Sequence, residues 1–194
     1  MTHERKSPSL QLSRRTLIAA AGASLAAIPL AGNAAPHLQL DGIYREPWLI
    51  KTSGALNTDF AEAVRSARNF AMLWEMRGCP WCKLLHVENF ARDDITSYLQ
   101  ANYNLLQLNL RGKQQITDFD GEKLTEEDLA YKYGINSTPT FQFFKPADAF
   151  KGEELGRAGY LKPEEFLTLL RFIREKGYEN GSYEEWVQRH KNPV

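Results

Sequence analysis

Only two of the 194 residues are cysteines, and they stand three positions apart at Cys79 and Cys82. Two cysteines cannot build a framework of disulfides joining distant segments, and they supply only half of a four-cysteine zinc site. An excess of either charge is also missing, because 24 Lys and Arg face 24 Asp and Glu. With no basic stripe and no long like-charge run, nucleic acid is not an expected partner. Beyond residue 35 there is no internal repeat and no low-complexity stretch.

The first 35 residues read as an address. A polar, basic stretch with Arg5, Lys6, Arg14 and Arg15 precedes Leu17 to Gly32, which is rich in Ala, Leu and Ile. That run is short and Gly/Ala-rich for a membrane span but suits the core of an export signal. Ser13-Arg14-Arg15-Thr16-Leu17-Ile18 resembles the twin-arginine signature, which places a bacterial protein in the periplasm. Small residues at Gly32-Asn33-Ala34 and Asn33-Ala34-Ala35 offer two cleavage positions; an uncleaved N-terminal anchor is the alternative. Without the segment's four basic residues and one acidic residue the balance becomes 20 to 23, a net charge of about −3.

The two thiols carry the chemistry. Cys79-Pro80-Trp81-Cys82 follows the apolar run Phe70-Ala71-Met72-Leu73-Trp74. A strand ending just before the first thiol places it at the N-terminus of the next helix, where unpaired N–H groups favour the thiolate. Pro80 suits the first turn of that helix. Such a pair can open and close a small disulfide ring and so exchange with other disulfides. Two other readings stay open at this point. A bridge closing so short a loop gains little as a staple. A soft metal such as copper(I) would take Cys79 and Cys82, with His86 one helical turn further as third ligand.

The rest of the chain alternates helix and strand. Residues 36–56, with Pro36, Gly42, Pro47 and Gly54, form an extended N-terminal lead. Asn57 or Thr58 caps a helix with Phe60, Val64 and Ala67 on one face, ending near Asn69. After the strand Phe70–Glu75 and the Cys helix, whose apolar side continues through Val87 and Phe90, Asp93 or Asp94 starts a helical segment. Asn104–Leu110 reads as a buried strand. Asp120-Gly121 marks a tight turn between Ile116 and Leu124. The acidic string around it, Asp118 to Glu122, lacks the ligand spacing of a calcium loop. Thr125 caps a helix stopped by Gly134. Thr140–Phe144 and a strand near Glu153–Ala158 pair as a hairpin through a turn at Pro146–Asp148. Pro163 opens a helix with Phe166, Leu169, Leu170 and Ile173 as its apolar stripe. Residues 175–194 form a short C-terminal helical extension capped by Ser182.

This order, with the Cys-x-x-Cys after the first core strand, resembles the thioredoxin fold: an α/β domain with a central mixed β-sheet flanked by helices, over residues 57–174. Two separated segments carry the resemblance, Cys79-Pro80-Trp81-Cys82-Lys83 and Ile135-Asn136-Ser137-Thr138-Pro139-Thr140. The second implies a cis-proline at Pro139 facing the dithiol, with Thr138 presenting backbone groups to a client strand. More narrowly, Gly78 to His86, together with Gln107-Leu108-Asn109-Leu110 and Thr117 to Glu122, is similar to SoxW-type periplasmic thioredoxins, which are linked with the oxidation of reduced sulfur compounds. That resemblance implies no cofactor, disulfide-containing client proteins, and a membrane electron donor of the CcdA/DsbD type.

Departures from ordinary thioredoxin mark this site. Pro80-Trp81 stands between the cysteines in place of Gly-Pro. Leu73 occupies the position of the buried Asp six residues before the first cysteine. Glu75, two residues on and on the same strand face, is the candidate to move a proton to or from Cys82, or else a solvated strand-end carboxylate. Trp81 shields the thiols and offers an aromatic docking surface, or simply packs. Lys83 either favours the thiolate or is a solvated helical lysine. The expected mechanism is attack by Cys79 on a client disulfide and resolution by Cys82. Run backwards, the same exchange is dithiol oxidation in oxidative folding.

Overall fold

A computed structural model describes residues 37–146 and 152–191. The whole export segment with its junction to the lead at Pro36, and residues 147–151 with the tip of the Pro146–Asp148 turn, lie outside the described residues. The lead is not merely extended. It opens with a two-residue ladder, β1 (His37–Leu38) against β2 (Tyr44–Arg45), antiparallel. It then runs along the main sheet, where the Ile50 N–H donates to the Leu105 carbonyl at 3.1 Å.

Helix α1 spans Leu56–Arg65, two or three residues earlier than the capping residues Asn57 or Thr58 predict, and Ala55 at its N-cap contributes no side-chain bond. Asp59 explains the difference. Its carboxylate accepts from Thr52 Oγ1 at 2.6 Å and the Ser53 N–H at 2.8 Å, so it ties the lead to the helix. The buried face is Leu56, Phe60 and Ala63; the expected Val64 is exposed, and Ala67 lies past the helix end with φ of 52°.

Strand β3 (Asn69–Glu75) is buried along its whole length. After it come helix α2 (Pro80–Leu84), a π-helical turn over Leu85–Asn89, and α3 (Asp93–Asn102). The π turn is a departure from the regular helix expected there. It buries Leu85, His86, Asn89 and Phe90 and turns Val87 outward. Strand β4 (Tyr103–Asn109) runs parallel to β3.

The hairpin of β5 (Gln115–Thr117) and β6 (Lys123–Thr125) turns at Gly121, whose φ of 90° favours glycine. Lys132 Nζ, on α4 (Glu126–Lys132), pairs with the acids around this turn, Asp118, Asp120 and Glu122, at 2.6, 2.6 and 2.9 Å. Thr125 caps α4 by accepting from the Asp128 N–H at 3.1 Å, and Gly134 ends the segment at φ of 64°.

Strand β7 (Thr140–Phe144) lies antiparallel to β3, and β8 (Glu154–Ala158) antiparallel to β7, so the sheet order is β4-β3-β7-β8. Helix α5 (Pro163–Arg174), a 3-10 turn over Gly177–Glu179 and α6 (Tyr183–Lys191) close the chain. The period-two alternation of β3 divides the core. Phe70, Met72 and Trp74 pack with Leu56, Phe60 and Leu129 on one face; Ala71 and Leu73 pack with Leu85, Phe90 and Phe166 on the other. Glu75 continues the second face, and that alternation aims it at the helix carrying the cysteines.

Candidate active site

Strand β3 ends at Glu75, whose carbonyl accepts from the Leu110 N–H at 2.8 Å. Met76, Arg77 and Gly78 then turn the chain, with Gly78 at φ of 75°, so that Cys79 is the N-cap of α2. The Cys79 carbonyl accepts the first helical bond, from Lys83, and its Sγ accepts from the Cys82 N–H at 3.1 Å. An N–H aimed at sulfur stabilises the anionic form over the thiol. Cys79 and Cys82 are joined as a disulfide. Both are largely covered, at 6% and 3% exposure, so Cys79 is less open than its place at a helix start implies.

Across from the pair lies the loop before β7. The Thr138–Pro139 peptide bond is cis. The Thr138 carbonyl oxygen is 3.3 Å from Cys79 Sγ and can accept an S–H when that thiol is reduced. Segments 59 residues apart in sequence are thus brought together at one sulfur. Trp81 is 55% exposed and packs at a tilt against Tyr160 with ring centroids 5.3 Å apart, which makes it a rim residue beside the thiols rather than a core one. Lys83 points to solvent.

Glu75 is not a solvated strand-end carboxylate: it is fully buried. His86 Nε2 lies 3.2 Å from both of its oxygens, and His86 Nδ1 lies 2.8 Å from Glu46 Oε1. Gln107 Nε2 also donates to Glu75, and to the Tyr44 carbonyl at 2.7 Å. Both imidazole nitrogens are therefore engaged by carboxylates, and His86 is not free to complete a copper(I) site with the two thiols. Sequence reasoning missed Glu46 because nothing in the lead's spacing ties it to a helix 40 residues on. Gln107 did leave a signal, as the one polar residue within Leu105-Leu106-Gln107-Leu108.

Burial alone would push the His86 pKa down, but its hydrogen bonds to Glu46 and Glu75 outweigh that, and the net shift is upward from 6.5. The folded protein therefore holds this proton more tightly than the unfolded chain. The resulting stabilisation is fully present below about pH 6.5 and is lost as pH rises through the raised folded value. The imidazole resonances of His86 should titrate above 6.5, with the urea midpoint falling over the same interval. A midpoint below 6.5 would contradict the pairing.

The thiols, Glu75, Arg77 and Tyr44 border one open cavity of about 470 Å³. This geometry gives a disulfide that can open, a backbone acceptor opposite its outer sulfur, and a buried acid–imidazole–acid group beneath. Comparison with known proteins agrees with that chemistry. The thioredoxin-like domain family matches residues 56–174. A thioredoxin from Thermus thermophilus superposes with a TM-score of 0.54 at 23% identity, covering 69% of this chain and 93% of that one. A thioredoxin-fold protein from Helicobacter pylori superposes at 0.51 with 17% identity, covering 66% and 89%. No curated protein matches the sequence. With the mixed sheet, the Cys79–Cys82 pair at the head of its helix and the family match over most of the described residues, the chain belongs to the family of thioredoxin-like domains and is a thiol–disulfide oxidoreductase.

Proposed function

We propose that the protein is an exported, periplasmic reductase of client disulfides, with Cys79 as the attacking thiol and Cys82 as the resolving one. The observation that carries this reading is the bonding of Cys79 Sγ. It accepts the Cys82 N–H at 3.1 Å and faces the Thr138 carbonyl at 3.3 Å. The Cys79 thiolate attacks one client sulfur; the client's other sulfur leaves as a thiolate and takes up a proton. Cys82 gives up its proton and attacks Cys79 Sγ. The second client thiol leaves, and the Cys79–Cys82 disulfide remains. One client disulfide is reduced and one dithiol is oxidised.

Thr138 and Pro139 lie where an extended client segment would pass over the sulfur. Pro80 fixes the first turn of α2, and Trp81 with Tyr160 supplies an aromatic rim. The twin-arginine-like Arg14-Arg15 segment supports export, and an oxidising compartment then requires a donor to return the pair to the dithiol state. The similarity to SoxW-type thioredoxins supports a membrane donor of the CcdA/DsbD type and clients in sulfur-compound oxidation.

The test is a single turnover. Reduced protein mixed with excess insulin should convert its dithiol to the Cys79–Cys82 disulfide while releasing one equivalent of client dithiol, read by mass after acid quench. A dithiol that survives long exposure to the client disulfide would exclude the reading.

A further inference from the structure

The lead packs between two cavities. Along the short β1–β2 ladder, alternate residues face opposite sides. Leu38 and Tyr44 border the cavity that holds Cys79 and Cys82. His37, Gln39 and Arg45 border a second, larger cleft of about 870 Å³, which contains no cysteine. Glu75 borders the first cavity and Glu46 the second. Between them stands His86, wholly buried, with Nε2 on Glu75 and Nδ1 on Glu46. An unbroken run of proton-carrying groups thus joins the thiol cavity to a separate water-open cleft. Its far end comes from a segment outside the family match.

We propose that Glu75, His86 and Glu46 form a proton exit from the thiol cavity to the cleft behind the N-terminal lead. The inference rests on the exchange reading of Cys79 and Cys82. A protein client bound over Cys79 covers the front cavity just when Cys82 must lose its proton to attack. Glu75, on the wall of that cavity, receives it. In its neutral Nδ1–H form His86 takes a proton at Nε2 from Glu75 and releases the Nδ1 proton to Glu46, and Glu46 delivers it to water in the cleft. The reverse passage, when the disulfide is reduced to the dithiol, restores the starting tautomer. The first transfer breaks the Cys82 S–H bond and makes an O–H bond on Glu75, each later one breaks one N–H or O–H bond and makes another, and no further reactant is needed. Glu46 and His86 act through Glu75 and do not touch the client. Gln107 orients Glu75 by donating to it. The other ring beside the imidazole on the lead is Tyr44, at 5.5 Å, and Phe90 packs on it from the helix side.

The exit matters only when the front is closed, and that distinguishes it from a structural ion pair. Decay of the Cys79 mixed disulfide, acid-quenched and read by mass, is compared for insulin and for 2-hydroxyethyl disulfide, which leaves the cavity open. Glu46→Gln keeps the shape of the side chain and removes its acidity. It should slow decay of the insulin adduct about a hundredfold more than that of the small adduct, the low end of what a proton-transfer group contributes. Equal slowing of both, or of neither, would overturn the exit. If this variant does not fold, the wild-type protein gives the answer in heavy water, where the isotope effect on decay should be larger with insulin; equal effects would overturn it. Failure of the exchange reading itself would look different, since no mixed disulfide would form with either probe.

Discussion

Cys79→Ser and Cys82→Ser should each lose catalysed turnover by at least about a thousandfold, because the two thiols act as one unit and removing either stops the cycle. The variants should nevertheless fail at different steps. With serine at 79 nothing attacks, and Cys82, 3% exposed and one turn into the helix, is poorly placed to replace it. With serine at 82 the attack still occurs and the adduct stays. Fold should be preserved in both, since the pair closes a loop of only three residues and constrains little of the unfolded chain. Steady-state reduction of insulin with dithiothreitol as electron source, set against the uncatalysed rate, checks the magnitude. A single variant retaining a tenth of wild-type turnover would break the two-thiol assignment.

Trp74→Ala should cost about 3–5 kcal/mol of folding stability, the range for a large aromatic removed from a packed core. Trp74 is fully buried near the C-terminal end of β3, and its Nε1–H donates to Gln142 Oε1 on the neighbouring strand at 3.1 Å. Gln142 is itself fully buried, with its Nε2 donating to Glu154 at 2.6 Å, so truncation leaves a cavity and an unpaired carbonyl oxygen together. Typical domains hold about 5–15 kcal/mol in total, so this single change consumes a large share. Trp74→Phe separates the two contributions by keeping a ring and losing the donor, and should cost clearly less. Equilibrium urea unfolding of both variants decides it, and equal losses would place the whole effect on the hydrogen bond.

The scaffold was legible where a residue's local chemistry agreed with its tertiary role. Thr125 announces α4 by its capping chemistry, Asp120-Gly121 the hairpin turn, and the run from Phe70 to Trp74 a strand. The dithiol stood out because the sequence has no other cysteine. The site's lower layer was not legible. Glu46 looks like an ordinary acid in a loop, and only the folded path of the lead sets it against His86. The helix after Cys82 was expected to keep its 3.6-residue period. A π turn over Leu85–Asn89 changes the period, buries His86 and exposes Val87, and nothing in the order of residues there marks it. The start of α1 misled in the same way: Asn57 and Thr58 carry capping chemistry, but the helix begins from Ala55, and Asp59 anchors Thr52 and Ser53 of the lead. In each case a long-range partner overrode the local preference, and such partners lie beyond the reach of periodicity.

The central claim is that Cys79 is the sulfur that meets the client. Intact-mass and peptide-level mapping of Cys82→Ser after reaction with insulin tests it most directly. The account predicts one client chain per molecule, released by dithiothreitol and attached through Cys79, with no adduct on Cys79→Ser under the same conditions. Equal adducts on the two variants, or none on either, would contradict it.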